Sequence, residues 1–168
     1  MLFSGFGSAF RRARDARDPK KIALFLRDVP EPVIKAAAHH GVVWRLDAHP
    51  VDCVEAPNII LACMCLHFLD LSESTTDEHR KRLNDRILLL LGISHKDIEA
   101  NILFFRWLTS QLGGSNSKMH CLAKRFDELA GANGFLNLMD VLKDILIDEW
   151  SSEQISALND VKMVFRIR

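Results

Sequence analysis

The sequence lacks an excess of charge of either sign, and this limits the partners that it can attract. Its 22 Lys and Arg residues balance 22 Asp and Glu residues, so the formal net charge of the 168 residues is zero. A balanced chain has no overall field that would gather nucleic acid. The basic runs at 11–14 and 80–82 also lack the interleaved aromatic residues of a stacking platform. We therefore expect no nucleic acid partner.

Long hydrophobic runs, a secretory leader and disulfide spacing are also absent. The apolar runs fall far short of the roughly 20 residues that span a bilayer, and the N-terminus has no charged region followed by an apolar core and a cleavage site. The four cysteines show no framework spacing, and Cys63 and Cys65 lie too close on one helix to bridge. These absences predict a reduced, cytoplasmic protein.

No stretch alternates apolar and polar residues as a half-buried strand does, whereas apolar residues recur at helical spacing along most of the chain. With 48% hydrophobic residues, the chain is long enough for one domain with a core and too short for two substantial ones. We predict an all-α fold, a single-domain bundle of about seven helices over residues 18–168. A basic and aromatic segment over residues 1–17 precedes it.

The stretch over residues 58–92 is the expected centre of the bundle. Residues 59–69 are apolar on almost every side of a helix, and a second helix ends in the four leucines at 88–91, before Gly92. A helix that is hydrophobic all round is normally buried. We expect both helices of this hairpin, including residues 88–91, to lie in the core.

Several short motifs mark helix ends. Capping side chains accept hydrogen bonds from the free N–H groups at a helix start, and glycine adopts the left-handed conformation that ends a helix. The motifs are Asp18-Pro19, the stop at Gly41, and the capping boxes Ser94 with Asp97 and Ser151 with Gln154. A further apolar stripe at helical spacing runs along residues 98–108. Residues 42–57 contain two prolines and fit either a connection or a short extended segment.

Two acidic elbows indicate a weak internal repeat of a helical hairpin. The first has Asp70 at the end of one helix and Asp77 seven residues later, in the first turn of the next. The second has Asn133 and, seven residues later, Asp140. Equal spacing in two helical hairpins is the kind of self-similarity that a structural repeat leaves in a sequence.

This double pattern resembles the tellurite-resistance TerB-like family over about residues 58–165, as does the Leu-Gly-Ile-Ser ending at 91–94. The resemblance implies an all-helical fold whose acidic elbows bind a divalent metal in some members. Leu71 stands where the family has glycine, and Asn133 stands where it has the first acid. The candidate ligands for a divalent cation are Asp70, Asp77, Glu78 and Asp140.

The same acids also have a purely structural explanation. A carboxylate in the first turn of a helix is stabilised by the helix dipole, by about 0.3 to 1 kcal/mol. A calcium-binding loop of the EF-hand type that begins at Asp70 is excluded, because Thr75 stands where glycine is needed and Lys81 where glutamate is needed. Capping and a cation site both stay open.

Cysteine and histidine offer another metal hypothesis. Cys63 and His67 are one helical turn apart, but Cys65 points elsewhere, and a zinc site needs a further ligand. The candidates for it are Cys53, Cys121 and His120. A core role is the alternative, since cysteine is among the most buried residue types. No nucleophile elbow, phosphate loop or dinucleotide fingerprint is present, so we expect no enzyme.

The resemblance implies a non-enzymatic interaction module that binds a protein partner, with a divalent cation as a further ligand, in a stress or envelope-linked response. The alternative is a membrane-surface or assembly adaptor that acts through the N-terminal segment, because Phe beside Arg is typical of interfacial helices. Its contact residues would be Phe3, Phe6, Phe10, Arg11, Arg12 and Arg14.

Overall fold

The computed structural model describes residues 15–114, 117–146 and 150–167. Within these ranges the chain forms eight α-helices and three short 3-10 helices, and no strand occurs. The α-helices are α1 (Pro19–Leu26), α2 (Glu31–His39), α3 (Pro57–Asp70), α4 (Asp77–Leu91), α5 (Ile98–Ser110), α6 (Lys118–Ala130), α7 (Gly134–Ile145) and α8 (Ser152–Val164). The 3-10 helices are Pro50–Cys53, His95–Asp97 and Gly131–Asn133. The prediction of an all-α fold is confirmed.

Helix α3 is the centre of the bundle. Ten of its 14 residues are buried, and they cover every side of the helix. It packs against α4, α5, α6 and α7, while α2 packs on α5 and α8 packs on α6. A helix that is apolar all round needs neighbours on all sides, so the predicted burial of this segment is confirmed.

Helix α4 is amphipathic rather than buried. Its buried residues are His79, Leu83 and Ile87, which recur every four residues on one face. Leu89 is 80% exposed, and Leu90 packs only partly against the core. Each residue of a helix is turned by about 100° from the one before, so four consecutive leucines cannot all face inward on a helix that packs with one face only. The expectation that residues 88–91 lie in the core is therefore wrong.

Most predicted helix ends are confirmed. The Asp18 carboxylate accepts a hydrogen bond from the backbone N–H of Lys20 at 2.9 Å, and a proline opens α1. Gly41 follows α2 with a φ of 72°, in the left-handed region that favours glycine. At α8 the Ser151 hydroxyl accepts from the Gln154 N–H, and the Gln154 side chain accepts from the Ser151 N–H. The capping box at residues 151–154 is complete.

The start of α5 departs from its predicted cap. The Ser94 hydroxyl donates to the Asp97 carboxylate at 2.8 Å and makes no capping hydrogen bond to the backbone. A 3-10 turn therefore precedes the α-helix. Residues 42–57 hold the 3-10 helix Pro50–Cys53 and otherwise form a connection.

The second elbow is shorter than the sequence pattern predicts. The 3-10 helix Gly131–Asn133 leads directly into α7, so Asp140 is the seventh residue of that helix. A Cβ at Gly134 would lie 3.1 Å from the Cβ of Ala130 and 3.2 Å from the Phe165 ring. The missing side chain lets α7 begin tightly packed against the end of α6. The predicted place of Asp140 in a first turn is wrong.

Candidate functional site

Asp70, the first acid of the predicted cation site, is held by two arginines. Arg106 of α5 donates from Nε to Oδ2 at 3.2 Å and from Nη2 to Oδ1 at 3.1 Å. Arg80 of α4 donates from Nη1 to Oδ1 at 3.2 Å. Both carboxylate oxygens therefore face guanidinium groups, an arrangement that suits an ion-pair network more than a cation site.

The other predicted ligands are Asp77, Glu78 and Asp140, and two of them have ion-pair partners of their own. Asp77 and Glu78 are exposed in the first turn of α4, and Glu78 pairs with Arg82 at 3.3 Å. Asp140 pairs with Arg86 at 3.0 Å. Asp70, Glu78 and Asp140 each contact different arginines, and no three of the four predicted ligands, all within the described residues, form a group that could hold a metal ion.

The described part of the chain contains no group of three or more His, Cys, Asp or Glu side chains placed to hold a metal ion. The helix dipole explains Asp77 and Glu78, whose carboxylates sit at the positive end of α4. It does not explain Asp140, which lies within α7. A divalent cation at these elbows stays a prediction.

Two of the cysteines proposed as zinc ligands belong to the core. Cys63 and Cys65 are buried in α3, and burial raises the pKa of both thiols, that of Cys65 to about 12. His67 lies partly buried, and its pKa is lowered by burial and, to a smaller extent, by the charge of Lys118. A zinc site needs about four ligands, and the described residues do not group either thiol with two further His, Cys, Asp or Glu side chains.

The remaining candidates for a zinc ligand lie elsewhere. Cys53 is buried, and its thiol donates to the Arg45 carbonyl at 3.8 Å. Cys121 is partly exposed and lines a polar cavity with His120 on α6. Among the described residues, these side chains do not come together in one metal site.

The predicted membrane-contact residues Phe3, Phe6, Phe10, Arg11, Arg12 and Arg14 lie outside the described residues. Four exposed apolar side chains lie in the first part of the chain that the structure describes; they are Leu24, Phe25, Val43 and Leu46, and we call them the α1 face. Helix α1 has no buried residue, and Leu24 and Val43 are 64% and 70% exposed. The Phe25 ring packs on Trp44, with ring centroids 6.2 Å apart. None of the described helices is both long and apolar enough to cross a bilayer.

A groove of about 480 Å³ lies between α4 and α5, and we call it the α4–α5 groove. Its apolar lining residues are Leu66, Leu83, Ile98, Ile102 and Leu103. Leu66 and Leu83 are buried and form its floor, whereas Leu103 is 49% exposed. The volume falls within the range of about 300–1,000 Å³ that ligand cavities have.

Charged side chains mark the two ends of the α4–α5 groove. Arg80 and Arg106 both line it, and both bind Asp70, so the start of α4 lies level with the end of α5. Glu99 lines the groove from the first turn of α5. It precedes Arg106 by seven residues, which is about 10 Å along a helix. The groove therefore has a positive end and a negative end.

Sequence reasoning did not predict this groove. The apolar stripe over residues 98–108 predicts a helix that packs on a core, and Phe104, Phe105 and Leu108 do face the core. Leu103 belongs to the same run and faces the groove instead. The sequence feature that could have indicated the groove is the width of the apolar stripe, because these residues cover more of the helix surface than one neighbouring helix can bury.

Comparison with known proteins gives no relative on which a function could rest. No family model, no curated protein and no solved structure matches the chain.

Proposed function

We propose that this chain is a non-enzymatic interaction module that takes up an amphipathic helix of a partner protein in the α4–α5 groove. The observation that carries the proposal is the exposed apolar wall at Leu103 above a floor of buried leucines. Apolar surface gains about 25 cal/mol for each Å² removed from water, so a partner that covers this wall is stabilised. An apolar helix face that enters an apolar groove is a recurring mode of protein recognition.

The remaining chemistry of the described residues supports binding more than catalysis. Burial raises the pKa of the Cys63 and Cys65 thiols, which opposes the thiolate that a nucleophile needs. Three of the four acids predicted at the elbows, Asp70, Glu78 and Asp140, pair with arginines. The TerB-like resemblance supplies the setting of this proposal, a stress or envelope-linked response, and keeps a divalent cation as a further expected ligand.

Selection from a displayed library of helix-forming peptides tests the proposal. Peptides selected on the wild-type protein should bind Leu103→Gln at least about tenfold more weakly, since a polar side chain then stands in the apolar wall. The matched control is Leu136→Gln on α7, because Leu136 is 66% exposed and does not line the groove. Equal loss of binding in both variants, or in neither, would contradict the proposal.

A second candidate function is contact with an anionic membrane surface through the α1 face. Exposed Leu24 and Phe25 share α1 with Lys20 and Lys21, which is the composition of an interfacial helix. Removal of residues 1–17 should then weaken co-sedimentation with phosphatidylserine-containing liposomes, and Leu24→Gln with Val43→Gln should weaken it further. Leu89→Gln with Leu136→Gln is the matched control pair. Binding that survives both changes would remove this candidate.

A further inference from the structure

We infer that the helix bound in the α4–α5 groove carries a carboxylate at its Arg80–Arg106 end, so that the groove selects acidic-ended amphipathic segments. This inference rests on the proposed function and names the chemistry of its partner. The observation that supports it is that two arginines, which both bind Asp70, line one end of the apolar α4–α5 groove.

The charge at this end of the groove is not balanced. Asp70 carries one negative charge, and Arg80 and Arg106 carry one positive charge each, so one positive charge remains uncompensated among these three side chains. Both guanidinium groups are partly exposed. A guanidinium has five N–H donors, and Asp70 takes one from Arg80 and two from Arg106. Donors are therefore left for a carboxylate from a partner.

Asp70 also holds the two arginines in position. The bidentate contact with Arg106 fixes the plane of that guanidinium, and the shared oxygen keeps Arg80 beside it. A fixed guanidinium loses less side-chain freedom when a second carboxylate arrives, so binding is favoured. Asp70 is thus a positioning residue for the anion-binding end.

The other end of the groove repels the same group. Glu99 stands there, about two helical turns from Arg106, and the polar residue that lines the groove between them is the neutral Asn84. A partner with its acid at the Glu99 end would place like charges together. The apolar residues of the partner helix should therefore lie within about two turns of its acid, in the direction that runs from the Arg106 end toward the Glu99 end.

A helix fits this groove better than a small apolar acid. Leu103 is half-exposed in the wall of the α4–α5 groove, so a small ligand there would stay partly in water. Cavities for small molecules, by contrast, bury most of the ligand surface. A partner helix covers Leu103 with side chains on its own apolar face and leaves its polar face in water.

The test uses the peptides selected on the wild-type protein. We expect Asp or Glu to be enriched at one fixed position next to the apolar stripe. Replacing that acid by its amide should weaken binding to the wild type about fivefold, as for a partly exposed ion pair. The same replacement should have almost no effect on binding to Arg106→Gln, since the two changes remove one interaction. Arg27→Gln, on an exposed arginine outside the groove, is the matched control.

A charge exchange tests the same contact through a change in the selected sequence as well as through a loss of affinity. Selection on Arg106→Glu should replace the enriched acid by Lys or Arg at the same position. If Arg106→Glu does not fold, Arg80→Glu makes the same charge exchange at the other arginine, with the same expected result. Selected peptides with an apolar stripe and no fixed acid would overturn the inference and leave the proposed function standing. If the binding of no selected peptide depends on Leu103, both the proposed function and this inference are wrong. If decanoate binds more tightly than every peptide, the bound partner is not a helix.

Discussion

Arg106 donates two hydrogen bonds to Asp70, and this contact joins the end of α3 to α5 across 36 residues of sequence. Arg80 completes the network from α4. A cation that approached Asp70 would meet two positive charges within about 4 Å of the carboxylate, where Coulomb repulsion is substantial. The acid that anchors the sequence-based metal hypothesis thus has a different role in the fold.

We therefore predict that Asp70→Asn leaves the binding of divalent cations unchanged. Titration calorimetry with Mg²⁺, Ca²⁺, Mn²⁺ and Zn²⁺ should give the same heats for the wild type and Asp70→Asn. The physical reason is that hard cations need several free oxygen ligands, and Asp70 offers oxygens already bound to arginine. A saturable heat in the wild type that disappears in Asp70→Asn would establish the cation site instead.

Two leucines on α4 should differ sharply in their contribution to stability. Leu83 is buried against α3, and Leu83→Ala should lower the free energy of unfolding by about 2–5 kcal/mol, because it leaves a cavity. Leu89→Ala should change it by less than about 0.5 kcal/mol, because that side chain is exposed. Urea denaturation of both variants measures the difference, and comparable losses would place residue 89 in the core after all.

Local chemistry made part of this fold predictable. The caps at Asp18 and Ser151, and the stop at Gly41, depend on side chains within a few residues of the helix end, so a sequence displays them directly. The burial of α3 follows from its uniform apolarity, which leaves no side suited to water.

The parts that could not be predicted depend on packing between distant segments. Nothing near Asp70 in the sequence reveals that it meets Arg106, and the run at 88–91 does not reveal which leucine faces the core. The start of α7 was misplaced because the close approach at Gly134 involves Phe165, 31 residues away in the chain. The α4–α5 groove could not be predicted for the same reason, since one of its two floor residues, Leu66, comes from α3.

Gln154 should stabilise the fold through a bond that its capping motif alone does not imply. Its side chain is buried, and Nε2 donates to the carbonyl of Phe68 at 2.9 Å, near the end of α3 where carbonyls lack helical partners. We expect Gln154→Ala to lower the free energy of unfolding by about 1–3 kcal/mol, because a buried acceptor loses its donor. Ser151→Ala, which removes only the cap, should cost about 1 kcal/mol.

The control for that prediction lies on the same helix. Ser156 is exposed on α8, and Ser156→Ala should leave the stability nearly unchanged in chemical denaturation. If Gln154→Ala proved no more harmful than Ser156→Ala, the bond to Phe68 would contribute nothing to the attachment of α8.

The buried thiols of α3 should make the fold less stable in alkaline solution. Burial raises the pKa of Cys65 from its ordinary value of 9.0 to about 12, and it raises the pKa of Cys63 as well. Between these values the unfolded chain has lost thiol protons that the folded chain keeps, so the free energy of unfolding falls as the pH rises. Each thiol contributes a slope of up to about 1.4 kcal/mol per pH unit.

Cys65→Ala should therefore make the decline in stability between about pH 8 and about pH 11 shallower, even though the variant is less stable at neutral pH. Denaturation by urea at several pH values, under reducing conditions, measures the slope. Ile60→Val, a change on α3 that removes buried apolar atoms and no titratable group, should lower the stability and leave the slope as in the wild type. Parallel curves for Cys65→Ala and the wild type would mean that the Cys65 thiol ionises as easily in the folded protein as in the unfolded chain, and they would contradict the prediction.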